Sequence, residues 1–146
     1  MPIKRDVKLG RNVELPQPEL VNLYGCEIGD NCKIAAFVEI GEGVKIGKGC
    51  RIQAFSYIPK GVTLEDNVFI GPHVCFTNNR KPMLPNNGFK VVSTLVKEGT
   101  MIGAGTIILC GVTIGRGAIV GMGSVVLKDV GDEQLVVGNP AERTNK

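Results

Sequence analysis

Large apolar residues recur at every sixth position from Ile28 to Phe76: Ile28, Ile34, Ile40, Ile46, Ile52, Ile58, Leu64, Ile70 and Phe76. The beat resumes at Val96 and runs through Ile102, Ile108, Ile114, Val120 and Val126. A step of six fits neither the turn of an α-helix nor the simple alternation of a strand. It marks a repeat, and a repeat decides the fold.

Written in sixes, the middle of the chain reads IGDNCK, IAAFVE, IGEGVK, IGKGCR, IQAFSY, IPKGVT, LEDNVF, IGPHVC. The first position is aliphatic and the fifth is small or β-branched, as at Cys32, Val38, Val44, Cys50, Ser56, Val62, Val68 and Val74. Gly, Asp, Asn and Lys fill the positions between, which is turn chemistry. Each six therefore predicts a short strand and a turn with two inward side chains. Three such units close a triangular coil, and coils stacked at about 4.8 Å share one aliphatic core. Residues 18 apart then lie above one another, Cys32 under Cys50 and Ile34 under Ile52, and small buried residues at the cysteine positions need no further role.

The expected fold is an all-β parallel β-helix in a single domain spanning residues 1–146. Residues 1–27 carry a looser pattern interrupted by Pro16 and Pro18 and read as an irregular capping coil, since terminal repeats are usually atypical. Residues 28–130 form the repeat body, and 131–146 a short non-repeat tail. The beat fails once: TNNRKPMLPNNGFKVVSTL, within about 77–95, carries two Pro, four Asn and a Gly and reads as a protruding loop. Long loops on rigid scaffolds are frequently functional.

Composition narrows the chemistry. A net charge of +3 with one His leaves no footprint of a nucleic-acid binder. Twenty Gly beside two Tyr, five Phe and no Trp fit many tight turns around an aliphatic interior. The five Cys include no Cys-x-x-Cys pair, so zinc and thioredoxin-like readings are poor. MPIKRDVKLG lacks the apolar run of a secretory leader, and no long apolar stretch predicts a membrane span. A reduced, cytoplasmic protein without a membrane partner is expected.

The segment VNLYGCEIGDNCKIAAFVEIGEGVKIGKGCRIQAFSYIPKGVTLEDNVFIGPHVCFTNNRKP and the ending IGRGAIVGMGSVVLKDVGDEQLVVGNPAERTNK resemble the hexapeptide-repeat acyltransferases. Within them the chain is most similar to the N-acetyltransferases that modify the 3-amino group of UDP- or dTDP-linked aminosugars. The resemblance implies a left-handed β-helix, an exception to the usual crossover hand. It also implies a homotrimer with sites between subunits and acetyl-CoA as co-substrate without a metal. Matched residue by residue, it places CoA against Gly103, Ala104, Gly121, Met122, Lys128 and Pro140, with Arg143 a phosphate contact by charge. The glycines equally suit turns that need positive φ.

N-acetylation needs a neutral amine against a thioester carbonyl, a donor for the oxyanion, and a proton acceptor. His73, the sole His, is the side-chain candidate for the acceptor. It stands in Gly71-Pro72-His73-Val74, one place later than in the family's Gly-His-Gly-Val, on a turn where one residue changes where a side chain points. If it is not the base, the departing thiolate takes the proton and the site works by orientation. Asn78 matches the Asn of the family's Phe-Thr-Asn-Asp stretch near the reacting amine; Asn79 replaces the Asp. Arg80 and Lys81 follow, suited to a pyrophosphate. An Asn-Asn pair is also simply a turn.

Two other readings remain at this point. One is a serine- or maltose-type O-acetyltransferase, which depends more strictly on a His base; the other is a non-enzymatic β-helix scaffold. A zinc carbonic anhydrase on this scaffold is excluded, since one His cannot supply its three ligands.

Overall fold

The computed structural model describes residues 3–4, 6–82 and 90–145. The described part is a left-handed parallel β-helix with a triangular section, plus one short 3₁₀ turn at Pro18–Leu20. Most strands are only two residues long because each hexapeptide leaves four residues for the corner.

Three parallel faces result. The first contains Asn22–Leu23, Glu39–Ile40, Tyr57–Ile58, Cys75–Phe76, Ile107–Ile108 and Val125–Val126. The second contains Lys8–Leu9, Glu27–Ile28, Lys45–Ile46, Val62–Leu64, Thr94–Val96 and Thr113–Ile114. The third runs from Lys33–Ile34 through Arg51–Ile52, Phe69–Ile70, Met101–Ile102 and Ile119–Val120 to Leu135–Val137, with Glu142–Thr144 folded back antiparallel on its edge.

Register follows the repeat. Ile34 pairs with Ile52 and Ile52 with Ile70, each 18 residues on. Ile70 pairs with Ile102, a step of 32, so the coil that carries the loop returns to the same face in phase. The beat residues Ile34, Ile40, Ile52, Ile58, Ile70, Phe76, Ile102 and Ile108 are fully buried. At about 2 kcal/mol for each buried aliphatic side chain, this column is the main source of stability.

The fifth-position residues line the inside of the corners, where a small polar group can reach a carbonyl of the next coil. Ser56 Oγ donates to the carbonyl of Gly71 at 2.9 Å, Thr100 Oγ1 to Gly115 at 2.8 Å, and the Cys32 thiol to Gly47 at 3.0 Å. Cys32 and Cys50 are buried and unpaired, and their place in this column accounts for them.

Both ends extend the stack. Ile3 bridges Leu23, Lys8–Leu9 pairs with Glu27–Ile28, and Glu14 bridges Lys33, so the N-terminal residues touch all three faces. At the other end Val130 bridges Ile114 and Leu135–Val137 pairs with the strand at Ile119. The tail leaves the hexapeptide pattern before it leaves the sheet. The protruding loop lies partly outside the described residues, at 83–89.

Candidate functional site

The fourth residue of most hexapeptides adopts positive φ, because the chain has to turn sharply between two faces; Asn79 and Asp129 are exceptions. At most corners that residue is Gly or Asn, the types that tolerate the left-handed region. Asn31, Gly49, Asn67, Gly99 and Gly117 fill one corner column in this way. The corner between the third and first faces differs. Its positive-φ residues are Phe37 (62°), Phe55 (65°), His73 (59°), Gly105 (70°) and Gly123 (70°). Each backbone N–H in this column donates to the coil before: Phe55 to Ala36, His73 to Ala54 at 3.0 Å, Gly105 to Pro72 and Gly123 to Ala104.

The three rings form a ladder. Phe37 and Phe55 have centroids 4.9 Å apart with planes 15° from parallel. Phe55 and His73 are 4.8 Å apart and 4° from parallel. That spacing is the coil spacing and exceeds the roughly 3.5–4 Å of direct face contact, so the rings overlap like shingles. Both Phe side chains remain about half exposed, 52% and 51%. Beyond His73 the column loses its side chains: a Cβ built on Gly105 or Gly123 would meet nothing within 4 Å.

His73, Gly103, Ala104, Gly121 and Met122 are thus brought to one corner. Their glycines have a packing reason as well. A Cβ on Gly103 would come 2.6 Å from the backbone N of Met122, and one on Gly121 2.7 Å from Cγ2 of Val137. Met122 is 77% exposed on the corner itself. Sequence reasoning passed over Gly105, Gly123, Phe37 and Phe55. Their signal was present: Phe stands in IAAFVE and IQAFSY where other units have Asn or Gly.

The strands flanking this corner change character along its length. Outward positions on the third face run Lys33, Arg51, Phe69, Met101, Ile119, and those on the first run Glu39, Tyr57, Cys75, Ile107, Val125. Charged and phenolic groups thus flank the Phe rungs, and apolar groups flank the Gly rungs. Outward positions of the second face, Glu27, Lys45, Thr63, Leu95 and Thr113, are polar apart from Leu95. Near the N-terminal end the Tyr24 hydroxyl donates to Glu39 Oε2 at 2.9 Å; burial and this carboxylate push the phenol up to about 12.

Lys128 and Arg143 lie elsewhere, lining a recess of about 250 Å³ at the C-terminal end of the stack. Asp129 and Glu142 line it too, and Lys128 Nζ is 3.3 Å from a Glu142 oxygen. Pro140, in the turn before Arg143, is exposed. The CoA residues implied by resemblance therefore divide between a corner and an end.

Asn78, Asn79, Arg80 and Lys81 root the loop at the corner between the first and second faces. Asn78 Nδ2 donates to the Lys60 carbonyl at 3.0 Å, and its own carbonyl accepts from Val92 N–H at 2.9 Å. Asn79 Oδ1 accepts from Lys81 N–H at 2.8 Å. The Arg80 guanidinium donates to the Cys110 carbonyl at 3.0 Å. Thr77 Oγ1 completes the root by accepting from Cys110 N–H and donating to Ile108 O. The Lys81 side chain is exposed. Four residues separate His73 from Asn78, five steps or about 16 Å of chain at strand rise. Within one chain these two candidates flank the first face from opposite corners and are not brought together.

The model for the bacterial transferase hexapeptide (six repeats) matches residues 43–78 and 93–128, the two sides of the loop. No curated protein sequence matches the chain. Among solved structures, the chain is similar to a GDP-perosamine N-acetyltransferase from Caulobacter crescentus in complex with CoA and GDP-perosamine. There the identity is 24% and the TM-score 0.67, over 99% of this chain and 56% of that one. A variant of AntD, an N-acyltransferase from Bacillus cereus in complex with dTDP and coenzyme A, is 25% identical with a TM-score of 0.76, over 94% and 82%. The acetyltransferase domain of PglB from Neisseria gonorrhoeae, in complex with acetyl coenzyme A, is 20% identical with a TM-score of 0.67, over 97% and 56%. The chain thus spans just over half of the first and third of these and most of the second.

Proposed function

From a chain that carries the hexapeptide repeat of bacterial transferases, we propose an enzyme that transfers an acetyl group from acetyl-CoA to the amino group of a nucleotide-linked aminosugar. The observation that carries this reading is the corner on which His73 adjoins the side-chain-free rungs Gly105 and Gly123, with apolar flanks. An extended pantetheine arm fits a bare edge with apolar flanks of this kind, and His73 stands at its end. Solved neighbours of the same fold hold CoA together with a nucleotide or nucleotide sugar, which supports the two-substrate reading.

The amine nitrogen attacks the thioester carbonyl, the carbon–sulfur bond breaks, and the sulfur leaves with its electron pair. The proton lost by nitrogen passes to His73 or to the thiolate; the oxyanion is stabilised by a backbone N–H other than those of the positive-φ column, which already donate to the coil before. Gly103, Ala104, Gly121 and Met122 hold the arm, while Lys128, Pro140 and Arg143 take the phosphate end.

The working form is a homotrimer. Met101, Ile107, Ile119 and Met122 are exposed on either side of the corner, and a second copy would cover them. In such an assembly Asn78 to Lys81 of one copy would serve the His73 corner of the next, since within one chain the two lie at opposite corners of the first face.

The test is thiol release from acetyl-CoA against UDP-, dTDP- and GDP-linked 3- and 4-amino sugars, with light scattering for the oligomer. Turnover by at least one amino sugar and a trimeric mass are expected. Absence of CoA binding would move the chain to the scaffold reading, and turnover of hydroxyl acceptors alone to the O-acetyltransferase reading.

A further inference from the structure

Two of the five residues on the ladder corner are chemically misplaced as turn formers. A bulky residue at positive φ is an outlier, strained where Gly is not. Phe37 and Phe55 hold that conformation at 62° and 65° while remaining half exposed. Gly or Asn fills the equivalent place in neighbouring corners, Glu133 near the C-terminal end excepted. Core packing does not account for them, because their rings touch one another and His73 outside the core.

Their surroundings are specific. Lys33 shares a coil with Phe37 and Arg51 shares one with Phe55, and the two cations are adjacent partners on the third face. Both are exposed, and neither forms an ion pair among the described residues. The shingled rings thus offer strips of π-face beside two stacked cations outside any ion pair. Glu14, the bridge partner of Lys33, and Glu19 and Glu39, which line a recess with Phe37, put the acidic groups at the first rung and leave Arg51 and Phe55 the more cationic one. A flat, weakly polar ring joined to a diphosphate matches that arrangement. The adenosine diphosphate of CoA has the same chemistry, but the reading above sends that end of CoA to Lys128, Pro140 and Arg143, away from the Phe rungs.

We propose that the nucleoside diphosphate of the acceptor lies on this N-terminal half of the corner, its base stacked on Phe37 and Phe55 and its diphosphate met by Lys33 and Arg51. The assignment rests on the acyltransferase reading above. It orders both substrates along one edge: nucleotide over the Phe rungs, amine at His73, acyl-CoA over the Gly rungs. Recognition by stacking is tolerant of the base, since every base presents a π-face.

The chain contains no Trp, so Phe55→Trp installs a single reporter on the ladder. Titration of that variant with UDP, dTDP and GDP is expected to quench its fluorescence, while CoA leaves it unchanged. In calorimetry, Phe37→Ala and Phe55→Ala are expected to weaken nucleoside diphosphate binding by roughly fivefold or more each, with the Kd for CoA unaltered. Lys33→Gln with Arg51→Gln is expected to weaken it further and to reduce its salt dependence.

Unchanged diphosphate affinity in both Phe variants overturns the assignment. So does an equal loss of CoA affinity, or a change of oligomeric mass on Phe→Ala, which would give the ladder to CoA or to a second copy. If the unaltered protein binds CoA but none of the diphosphates, the nucleotide-sugar reading itself fails and this assignment with it. If it binds diphosphates and the ladder variants do not respond, only the assignment fails.

Discussion

Two corners of the same prism, built from the same hexapeptide, use their side chains in opposite ways. At the loop corner, Asn78, Arg80 and Thr77 aim their polar atoms at backbone carbonyls and amides of the coils on either side. At the ladder corner, Phe37, Phe55 and His73 present rings outward, and Gly105 and Gly123 present nothing. A buried backbone group left without a partner costs about 1–3 kcal/mol, so a chain that departs from the repeat has to answer each one it strands. The loop corner is where that obligation falls. The ladder corner keeps an unbroken backbone ladder and has its side chains available for ligands.

The strongest way to break this comparison lies in the glycines. Gly103→Val adds a branched side chain where even a Cβ would lie 2.6 Å from the Met122 backbone. Loss of several kcal/mol or of folding is expected, seen as loss of the cooperative melt. Gly105→Ala has open space at its Cβ and carries only the positive-φ cost of about 1 kcal/mol. It is expected to melt a few degrees lower, yet to raise the KM for acetyl-CoA. Equal stability losses in the two variants would erase the distinction between packing glycines and open-corner glycines.

His73→Ala separates the two fates of the proton. A drop in kcat of about a hundredfold or more, with the melt preserved, identifies the imidazole as the base. A drop under about tenfold assigns the proton to the thiolate and leaves His73 as part of the wall, because orientation alone then carries the rate.

The loop-corner side chains are expected to behave as anchors. Asn78→Ala and Arg80→Ala should each lower stability by about 1 kcal/mol by removing a hydrogen bond to a carbonyl, read by urea denaturation. A loss in kcat larger than that seen for His73→Ala would instead place Asn78 in the chemistry of a neighbouring copy's site.

The smallest effect is expected at Tyr24. Its phenol stands near 12, above the ordinary 10, so the fold favours the neutral form. That contribution is complete below pH 10 and disappears as pH rises through 12. Tyr24→Phe should melt with a flatter dependence on pH across that window; an identical alkaline slope in both proteins would show the Glu39 contact to be inconsequential.

Much of this was legible before any coordinates. The beat from Ile28 to Phe76 specifies the coil, the core and the 18-residue register, because the period follows from side-chain direction alone. The loop announced itself as the place where the beat failed. The fourth-position residues could even have been aligned by eye, since Phe37, Phe55 and His73 are 18 apart. Past the loop this arithmetic stops: the step from His73 to Gly105 cannot be read from a segment whose length does not say how many faces it crosses.

Sequence by itself therefore determined the prism and named the residues with chemistry to offer. Tertiary structure decided which of them share an edge and which are already occupied. Repeat periodicity is a local property, set by alternation of side chains along a few residues. Whether Asn78 or His73 is available to a ligand depends on hydrogen bonds and stacking with coils 18 to 32 residues away, and no single unit of six contains that information.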